Sequence, residues 1–365
     1  MAEKKILLLE PYYGGSHRHF LDGLMAWLPA RFTLLSLPAR KWKMRMQLSA
    51  PWFAALVKDL EPRQQSFDLV LSSTFTDLAV FKALVVGLPG WRQSCRFLAY
   101  FHENQFHYPE RLSKTTNHQF TAINFTTALI ADGLAFNSDF NRQTFFRQSR
   151  RYLEKVVDVD LSRELTAVEA KSVVLYPGTD FAEIDELTAQ GAPGGGPPLV
   201  IWNHRWEHDK NPEAFFSVLT ALHREGIAFR CAVLGQRFRD VPPCFEQARR
   251  ELGECCVQFG YLPERKRYLE LLARGDIVVS TAHHEFFGLA VVEAVRAGCL
   301  PVLPQRLSYP ELFADDYLYP DGGLYEHLKT AILERRTLAV ADGRAMTERF
   351  SWPSLRESYH AWLEA

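Results

Sequence analysis

Two glutamates eight positions apart are the strongest candidates for chemistry in this sequence. Glu285 and Glu293 lie in the stretch HHEFFGLAVVE, with Gly288 and Leu289 between them. The apolar run before this stretch and the pattern after it predict a strand, a loop and a helix that begins at Gly288. Glu285 is then placed at the carboxyl end of a strand, where open α/β sheets bind ligands. The backbone N–H groups of Gly288 and Leu289 would begin the helix and face an anion.

The neighbours of Glu285 favour a functional role for this loop. A glutamate is usually a solvated surface charge. Here, however, two histidines and two phenylalanines surround it in HHEFFG, and such residues are costly to expose without a reason. We therefore rank a functional site ahead of a solvated charge at this position.

Arg205 and Lys210 form a second candidate group, in the loop of LVIWNHRWEHDKNP that follows another predicted strand. The Asn-Pro pair after Lys210 is typical of the start of a helix. Arginine offers a planar fork to phosphate and lysine offers a mobile charge, so the two together suit a diphosphate. A surface cluster with Glu207 and Asp209 accounts for the same residues, and both interpretations stay open at this point.

A third group follows a predicted central strand in FLAYFHENQFHYP. His102, Glu103 and His107 lie at the carboxyl end of that strand. A histidine and a carboxylate can serve as acid and base or bind a metal, but two ligands without a clear third make the metal site the weaker choice. A structural histidine with ordinary hydrogen bonds is the plain alternative.

A basic stretch with an aromatic residue inside it is the fourth candidate. Arg40, Lys41, Lys43 and Arg45 surround Trp42 in ARKWKMRMQL. Cations that bind phosphates and an aromatic ring that stacks on a base are what single-stranded RNA loops require. Stretches of this kind are also common as solvated surfaces.

The two glycines of LLLEPYYGGSH raise the question of a dinucleotide-binding loop. Gly14 and Gly15 do not supply the Gly-x-Gly-x-x-Gly spacing that such a loop requires. They do predict a strand, a flexible turn and a helix that begins near Ser16, where the backbone can approach an anion or a sugar. Taken alone, an ordinary turn is the better interpretation.

The overall composition excludes several classes of protein. A formal net charge of −1 gives no bulk field for nucleic acid or membrane, although local basic patches could still supply one. The six cysteines include no Cys-x-x-Cys pair, which favours free thiols and a cytoplasmic protein. No apolar run approaches the roughly 20 residues of a membrane helix, so we expect no membrane partner.

Ten short apolar runs alternate with helical patterns and predict parallel strands covered by helices on both faces. They form two groups of five, and the Gly/Pro-rich loop 190–198 lies between the groups, which suggests a nearby domain boundary. The sequence thus predicts an α/β protein with two doubly wound domains. The runs are 6–9, 67–71, 97–101, 134–136, 173–176, 199–202, 231–234, 257–259, 277–279 and 300–303.

Taken together, these motifs resemble those of the retaining GT-B glycosyltransferases. Glu285 and Glu293 across EFFGLAVVE, the AGCLPVL that follows, and the upstream Arg205 and Lys210 carry the resemblance, which covers nearly the whole chain. It implies two Rossmann-like domains that face each other across a cleft, with the C-terminal helix crossing back to the first domain. The implied domains are an acceptor domain at 1–178 with helix 351–365, and a nucleotide-sugar donor domain at 179–345.

A narrower resemblance is to the tRNA-queuosine α-mannosyltransferase family. It is carried by EPYYGGSHRHFLDGL, LPARKWKMR, FHENQFHYP and HHEFFGLAVVEA, which occur in this order. It implies transfer of mannose from GDP-mannose to queuosine in the tRNA anticodon loop, with tRNA and the nucleotide-sugar as partners. We expect no cofactor and no metal; the oligomeric state is left open.

The resemblance also implies roles for individual residues. Arg205 and Lys210 hold the donor diphosphate, Glu285 touches the donor sugar, and Glu293 binds the ribose. The implied catalytic residues are His102, Glu103, Arg205, Lys210 and Glu285; the donor-binding residues are Gly14, Gly15, Tyr261, His284, Phe287, Gly288, Leu289 and Glu293; and the acceptor- or RNA-binding residues are Arg40, Lys41, Trp42, Lys43 and Arg45.

Two other functions remain possible on these grounds. One is a GT-B transferase with a lipid-linked or small-molecule acceptor, for which Trp42 and Met44 would provide an apolar contact. The other is a nucleotide-sugar epimerase or a binding protein of the same architecture.

Overall fold

The chain divides into two units. Unit 1 comprises Met1–Thr179 and Trp352–Ala365, and unit 2 comprises Asp180–Ser351. The computed structural model describes residues 3–106, 114–155, 158–189, 195–237 and 240–365, and for 114–118 the backbone alone. Unit 2 includes residues 346–350, which the predicted domain limits left unassigned. The division after Thr179 lies ten residues before the loop 190–198, which was predicted to be near a domain boundary. Residues 190–194 of this loop lie outside the described part.

Unit 1 is built on a parallel sheet, as its apolar runs predict. Within its described residues, six strands pair in the order β2-β1-β3-β4-β5-β6, and helices connect them. The elements are β1 (Lys5–Tyr13), α1 (Gly15–Trp27), β2 (Arg31–Pro38), α2 (Trp42–Lys58), β3 (Leu69–Ser73), α3 (Leu78–Val85), β4 (Arg96–Phe101), α4 (Lys114–Ile130), β5 (Gly133–Phe136), α5 (Asp139–Leu153), α6 (Ser162–Ala170) and β6 (Ser172–Val174).

Unit 2 repeats this plan with a second parallel sheet. In the described part of this unit, six strands pair in the order β12-β11-β10-β7-β8-β9. The elements are α7 (Ala182–Ala189), β7 (Leu199–Asn203), α8 (Pro212–Arg224), β8 (Arg230–Leu234), α9 (Cys244–Glu251), β9 (Cys256–Gly260), α10 (Arg265–Ala273), β10 (Ile277–Val279), α11 (Leu289–Arg296), β11 (Leu300–Pro304), α12 (Tyr309–Leu312), β12 (Leu318–Tyr319), α13 (Leu324–Leu333) and α14 (Val340–Thr347).

The prediction of five strands in each unit is wrong by one strand in each, within the described residues. The missed strands are β2 and β12, which lie at the edges of their sheets. Most residues of β2 are partly exposed, so its sequence lacks the continuous apolar run of a buried strand, and β12 has two residues. An edge strand pairs on one side only, so its side chains need not all be apolar.

The chain returns to unit 1 in its last helix, α15 (Trp352–Glu364). An apolar stripe of Leu355, Tyr359 and Trp362 on this helix is buried against the face of the unit 1 sheet that α1 also covers. The hydroxyl of Tyr359 donates to the carbonyl oxygen of Tyr176 at 2.8 Å. This confirms the expected return of the terminal helix to the first domain.

Candidate functional site

Two loops meet at the carboxyl ends of β7 and β10, which are paired neighbours in the unit 2 sheet. The loop at 204–211 carries Lys210, and the loop at 280–288 carries Glu285. The first loop ends at Asn211, whose side chain accepts a backbone N–H of α8 at 3.4 Å, as the predicted N-cap requires. Because parallel strands end at the same edge of a sheet, both loops project from that edge.

Lys210 joins the two loops. Its side chain is buried, and its Nζ donates to the carbonyl oxygen of His284 at 2.5 Å and lies 3.2 Å from a carboxylate oxygen of both Glu285 and Asp209. The backbone repeats this connection, since the N–H groups of His283 and His284 donate to the carbonyl oxygen of Asp209 at 2.8 and 3.2 Å. The structure therefore brings Lys210 and Glu285, predicted from separate motifs, into direct contact.

Both members of this pair are charged at neutral pH. Burial alone would lower the pKa of Lys210, but the carboxylates of Glu285 and Asp209 outweigh burial, and the pKa is raised above its ordinary value. For Glu285, burial raises the pKa, but Lys210 and other nearby donors outweigh it and lower the pKa to about 2. The site thus holds a fixed cation and a fixed anion in a largely buried position.

Arg205 differs from Lys210 in its surroundings. Its side chain is 47% exposed and lies 3.2 Å from a carboxylate oxygen of Glu207. Its positive charge nevertheless acts on Lys210, because it opposes part of the increase in the pKa of Lys210 that the two carboxylates cause. The alternative interpretation of a surface charge cluster therefore applies to the Arg205–Glu207 pair. It does not apply to Lys210, which is buried.

His204 belongs to the same site and was missed in the sequence. It follows β7 directly and is buried, and its Nε2 has no hydrogen-bond partner among the described residues. Burial and the charge of Lys210 lower its pKa to about 4, against the opposing effect of Glu285. A neutral imidazole therefore lies beside the Lys210–Glu285 pair. Its position immediately after a predicted strand was the available signal.

The helix that the sequence predicts after Glu285 is present and begins at Leu289, one residue after the predicted start at Gly288. Gly288 has φ +95° and precedes Leu289, the first residue of α11. A Cβ at Gly288 would lie 3.1 Å from the ring of Tyr309, so both backbone angle and space favour glycine there. Glu285 itself accepts the N–H groups of Phe286 and Phe287, at 3.1 and 3.4 Å.

Two of the predicted donor-binding side chains are buried within unit 2. The ring of Phe287 packs edge-on against Phe350 at 5.3 Å, and the ring of His284 packs edge-on against Phe286 at 4.7 Å. Any direct contact of Phe287 with a donor would therefore come from its backbone. Tyr261, by contrast, is 60% exposed and follows Gly260 at the end of β9.

Glu293 lies in α11 with its carboxylate buried between two residues of α10. One oxygen pairs with the guanidinium of Arg265, and the other accepts the hydroxyl of Tyr268 at 3.3 Å. Neither Arg265 nor Tyr268 was predicted. The sequence contains no signal for them, because they are far from Glu293 along the chain and no motif surrounds them.

A short chain of hydrogen bonds connects Glu293 to the Arg205 loop. The side chain of Asn203, the last residue of β7, donates to the hydroxyl of Tyr268 at 3.1 Å and to the carbonyl oxygen of Ala290 at 2.7 Å. Asn203 is two residues before Arg205. The residues expected to bind diphosphate and ribose therefore lie at one edge of the unit 2 sheet.

In unit 1, His102 follows β4 and is buried. Its ring lies 4.1 Å from the ring of His17 and 4.6 Å from that of Tyr100, centroid to centroid, and its carbonyl oxygen accepts the side-chain amide of Asn137 at 2.7 Å. Burial, and then the proximity of His17, lower its pKa well below the ordinary value. Glu103 is partly exposed, and His107 lies outside the described residues.

Glu10 and His17, which sequence reasoning passed over, complete this cluster. Both are buried, and a carboxylate oxygen of Glu10 lies 3.0 Å from Nδ1 of His17. The ligand atoms of Glu10, His17 and His102 all lie within 4.8 Å of one another, so this group supplies the third metal-binding side chain that the sequence did not reveal. Glu10 directly follows the predicted strand 6–9, and this position was the available signal.

The glycine pair occupies the turn between β1 and α1. A Cβ on Gly14 would lie 2.6 Å from the Cβ of Ala39, and Gly15 has φ +53° with open space beside it. The helix begins at Gly15, next to Ser16 as predicted, and no described side chain caps it. Gly14 thus permits close contact with the residue that precedes the basic stretch.

The basic stretch forms the start of α2. Arg40 and Lys41 are exposed, and Lys43 lies 5.8 Å from the ring of Trp42. The ring of Trp42 is partly buried and packs against the rings of Phe120 and Phe75, at 5.2 and 6.0 Å. Arg45, like Lys43, is partly buried.

The amino-acid sequence is similar to known transferases over most of its length. Residues 5–179 match the family model described as tRNA-queuosine alpha-mannosyltransferase N-terminal, and residues 183–339 match that of glycosyl transferases group 1. A Drosophila melanogaster tRNA-queuosine alpha-mannosyltransferase is 37% identical over 87% of this chain and 84% of its own. A GDP-mannose:cellobiosyl-diphosphopolyprenol alpha-mannosyltransferase of Xanthomonas oryzae is 26% identical over 40% of this chain and 37% of its own.

Solved structures share the fold at low sequence identity. Anabaena HepE in complex with UDP has a TM-score of 0.69 and 17% identity, with 99% of each chain covered. Sucrose-phosphate synthase of Thermosynechococcus elongatus has a TM-score of 0.70 and 14% identity, with 98% of each chain covered. Among the described residues, no helix combines the length and apolar character needed to cross a membrane.

Proposed function

The chain belongs to the tRNA-queuosine alpha-mannosyltransferase family and is a glycosyltransferase of GT-B fold, and on this basis we propose that it transfers mannose from GDP-mannose to queuosine in the tRNA anticodon loop. The name of the 37% identical relative supports the acceptor and the sugar, and the name of the Xanthomonas relative supports the donor. The observation that carries the proposal within the structure is the buried Lys210–Glu285 pair at the edge of the unit 2 sheet.

The donor diphosphate is bound by cations of the first loop. Lys210 provides a buried charge that Glu285 and Asp209 keep protonated, and Arg205 provides a second, exposed charge that can reorient onto the ligand. The N-terminus of α11, at Gly288 and Leu289, adds backbone N–H groups and a partial positive charge. These groups stabilise the charge that develops on the diphosphate as it leaves.

The carboxylates bind hydroxyl groups of the donor. Glu285 stays ionised down to low pH, so it can accept hydrogen bonds from the hexose while Lys210 and two backbone N–H groups fix its orientation. Glu293 accepts from the ribose hydroxyls. Each carboxylate oxygen has two acceptor sites, so Glu293 can bind ribose while it remains paired with Arg265 and Tyr268.

Residues of unit 1 serve the sugar and the acceptor. His102 stays neutral at neutral pH, because burial lowers its pKa, and a neutral imidazole can accept a hydrogen bond from a hydroxyl group. Glu103 contributes a second acceptor at the same strand end. Arg40, Lys41, Lys43 and Arg45 bind tRNA phosphates.

The reaction proceeds with retention and without a covalent glycosyl-enzyme. The bond between the anomeric carbon and the diphosphate oxygen breaks, and the acceptor oxygen forms its new bond on the same face of the sugar. The leaving phosphate takes the proton of the acceptor hydroxyl, so no separate base is required. No metal or other cofactor takes part. The reaction takes place in a reducing compartment, the cytoplasm, in keeping with the six free cysteines.

Incubation of the purified protein with radiolabelled GDP-mannose tests the proposal. The acceptors are tRNA that contains queuosine, the same tRNA from cells unable to make queuosine, and a polyprenyl diphosphate-linked sugar. We expect label in the queuosine nucleoside after nuclease digestion and none with the other two acceptors. The product should carry an α linkage, which NMR of the isolated nucleoside determines.

Each other outcome contradicts the proposal in a distinct way. Label in the lipid-linked sugar alone would assign a different acceptor. Conversion of GDP-mannose to another nucleotide-sugar without acceptor would indicate an epimerase, and binding of GDP-mannose without any product would indicate a binding protein.

A further inference from the structure

Helix α2 presents an exposed apolar stripe that the fold does not use. Met44, Leu48 and Trp52 are 49%, 55% and 53% exposed, and they follow one another at intervals of four residues. At 100° per residue they fall within about 80° of the helix surface and extend over about 12 Å. A monomeric protein seldom exposes a line of large apolar side chains without a binding role.

The opposite face of α2 holds the helix in place. Met46, Ala50, Phe53 and Val57 are buried, and helices α3 and α4 and strand β1 pack against α2. The exposed stripe is therefore held on a fixed helix whose packing is complete without it. A tryptophan side chain on such a fixed helix can bind a partner with less loss of entropy than a side chain on a flexible segment.

The charge around the stripe indicates what binds there. Residues 39–58 contain five basic residues, Arg40, Lys41, Lys43, Arg45 and Lys58, and no acidic residue. In helical projection Arg45 lies about 20° beyond Trp52 on one side of the stripe. Lys58 lies about 40° beyond Met44 on the other side. Basic groups beside an exposed aromatic ring suit a strand whose phosphates need cations and whose bases stack on apolar surfaces.

From this we infer that the Met44–Leu48–Trp52 stripe is a docking surface for RNA, on which unpaired bases stack on Trp52 while the neighbouring cations bind the phosphates. The inference deepens the proposed function, on which it rests, because it locates the contact with tRNA. It also assigns base stacking to Trp52 in place of Trp42, because the ring of Trp42 already packs against Phe75 and Phe120.

The salt dependence of binding separates the two kinds of contact. Loss of a phosphate contact lowers the slope of log Kd against log salt concentration, whereas loss of a stacked base weakens binding with little change in slope. The variants are Trp52→Ala and Lys43→Ala, and the matched control is Leu333→Ala, which removes a side chain that is 59% exposed on α13 of unit 2.

The experiment measures the binding of fluorescently labelled bulk tRNA by anisotropy at several salt concentrations. We expect Trp52→Ala to weaken binding by about tenfold with the slope unchanged, Lys43→Ala to lower the slope, and Leu333→Ala to have no effect. Thermal unfolding and GDP-mannose affinity, both expected to be unchanged, show that each variant is folded.

The possible results separate the inference from the proposed function. If Trp52→Ala binds tRNA as the wild type does, the docking surface is wrong, whether or not mannose reaches queuosine. If the wild type binds tRNA through Trp52 but transfers no mannose to queuosine, the proposed acceptor is wrong and the docking surface is supported. If Trp52→Ala instead loses binding to vesicles of phosphatidylglycerol and phosphatidylcholine and keeps tRNA binding, the stripe is a membrane contact and the inference fails.

Discussion

Lys210 and Glu285 are 75 positions apart in the sequence, and Nζ of one lies 3.2 Å from a carboxylate oxygen of the other. Each comes from a loop at the end of a strand, and the two strands are neighbours in the sheet. Each residue needs the other, because a buried charge without its partner is strongly unfavourable. The pair therefore contributes to folding as well as to ligand binding.

Lys210→Ala should reduce both activity and stability. Removal of the ammonium leaves the Glu285 carboxylate buried without its cation, which costs about 3 to 5 kcal/mol in a buried pair. Arg205→Ala is the matched control, because its half-exposed ion pair contributes at most about 1 kcal/mol. We expect Arg205→Ala to lower kcat strongly and to leave the free energy of unfolding nearly unchanged. Steady-state kinetics and urea unfolding measure the two effects.

The opposite result for either variant is informative. An Arg205→Ala enzyme with the wild-type turnover would remove Arg205 from the diphosphate site. A Lys210→Ala protein as stable as the wild type would show that the buried pair is not needed for folding.

The free energy of unfolding should decrease in two separate pH ranges as the pH is lowered. The pKa of His204 is lowered from 6.5 to about 4, so the unfolded chain takes up this proton first and stability decreases from about pH 6.5 to 4. The pKa of Glu285 is lowered from 4.5 to about 2, so its contribution is present above pH 4.5 and is lost between about pH 4.5 and 2. His204→Gln should make the first window shallower without abolishing it, because the pKa of the buried His102 is also lowered below 6.5. Glu285→Gln should make the second window shallower.

Unfolding by urea at a series of pH values, compared with the wild type, measures both windows. Each shift corresponds to about 3 kcal/mol over its full window. A His204→Gln profile as steep as that of the wild type between pH 6.5 and 4 would show that His204 does not contribute to this window.

Much of the fold and of the donor-side site could be predicted, because the signals are local. A buried strand is a continuous apolar run, and a helix start is marked by residues such as Asn211 or Gly288 next to it. Since parallel strands end at one edge, residues just after two strands, such as Lys210 and Glu285, could be expected to lie close together.

What could not be predicted depends on packing between distant elements. Arg265 and Tyr268 contact Glu293 because α10 packs against α11, and no spacing in the sequence encodes that contact. The two tryptophans of α2 look equivalent in the sequence. Only the tertiary structure shows that Trp42 packs against other rings, while Trp52 is exposed.

Glu293 can be tested as the ribose ligand with a modified donor. GDP-mannose that lacks both ribose hydroxyls should react poorly with the wild type, because the buried carboxylate loses its partners. Glu293→Gln should react poorly with GDP-mannose and gain nothing from the hydroxyls, so the ratio of kcat/KM between the two donors should fall from about 10²-fold to near one. If the ratio is unchanged in Glu293→Gln, another residue binds the ribose.

Arg265→Ala serves as the positioning control in the same assay. The guanidinium pairs with Glu293 from one side and is partly exposed. Its loss should raise the KM for GDP-mannose more than it lowers kcat, because it frees the carboxylate to move without removing it. A variant that lost kcat alone would point to a role of Arg265 in the chemical step.

Removal of metal ions should leave the activity unchanged. The proposed reaction stabilises the leaving diphosphate with Arg205, Lys210 and helix N–H groups, so it requires no divalent cation. Enzyme treated with EDTA and dialysed should keep its kcat/KM, and added Mn²⁺ or Zn²⁺ should not raise it. If the activity does depend on a metal ion, the cluster of Glu10, His17 and His102 is the candidate binding site. Activity that is lost with EDTA, restored by Zn²⁺ and absent in Glu10→Gln would show a metal-dependent enzyme.

Gly14→Ala should disturb the basic stretch through a steric contact. The new Cβ would lie 2.6 Å from the Cβ of Ala39, so one of the two segments must shift. Such a contact costs about 1 to 3 kcal/mol of stability and displaces the residues that follow Ala39, which include Arg40 and Lys41. We expect weaker tRNA binding and a lower thermal midpoint.

The remedy and the control for this variant both lie in adjacent residues. Ala39→Gly in the Gly14→Ala background removes the contact and should restore tRNA binding and stability together. Gly15→Ala meets no atom of the described residues within 4 Å but places a Cβ at φ +53°, so it should lose about 1 kcal/mol of stability from backbone strain. Ala39→Gly should not rescue Gly15→Ala, since strain at φ does not depend on the neighbour. Rescue of both variants, or of neither, would mean that contact between Gly14 and Ala39 does not position the basic stretch.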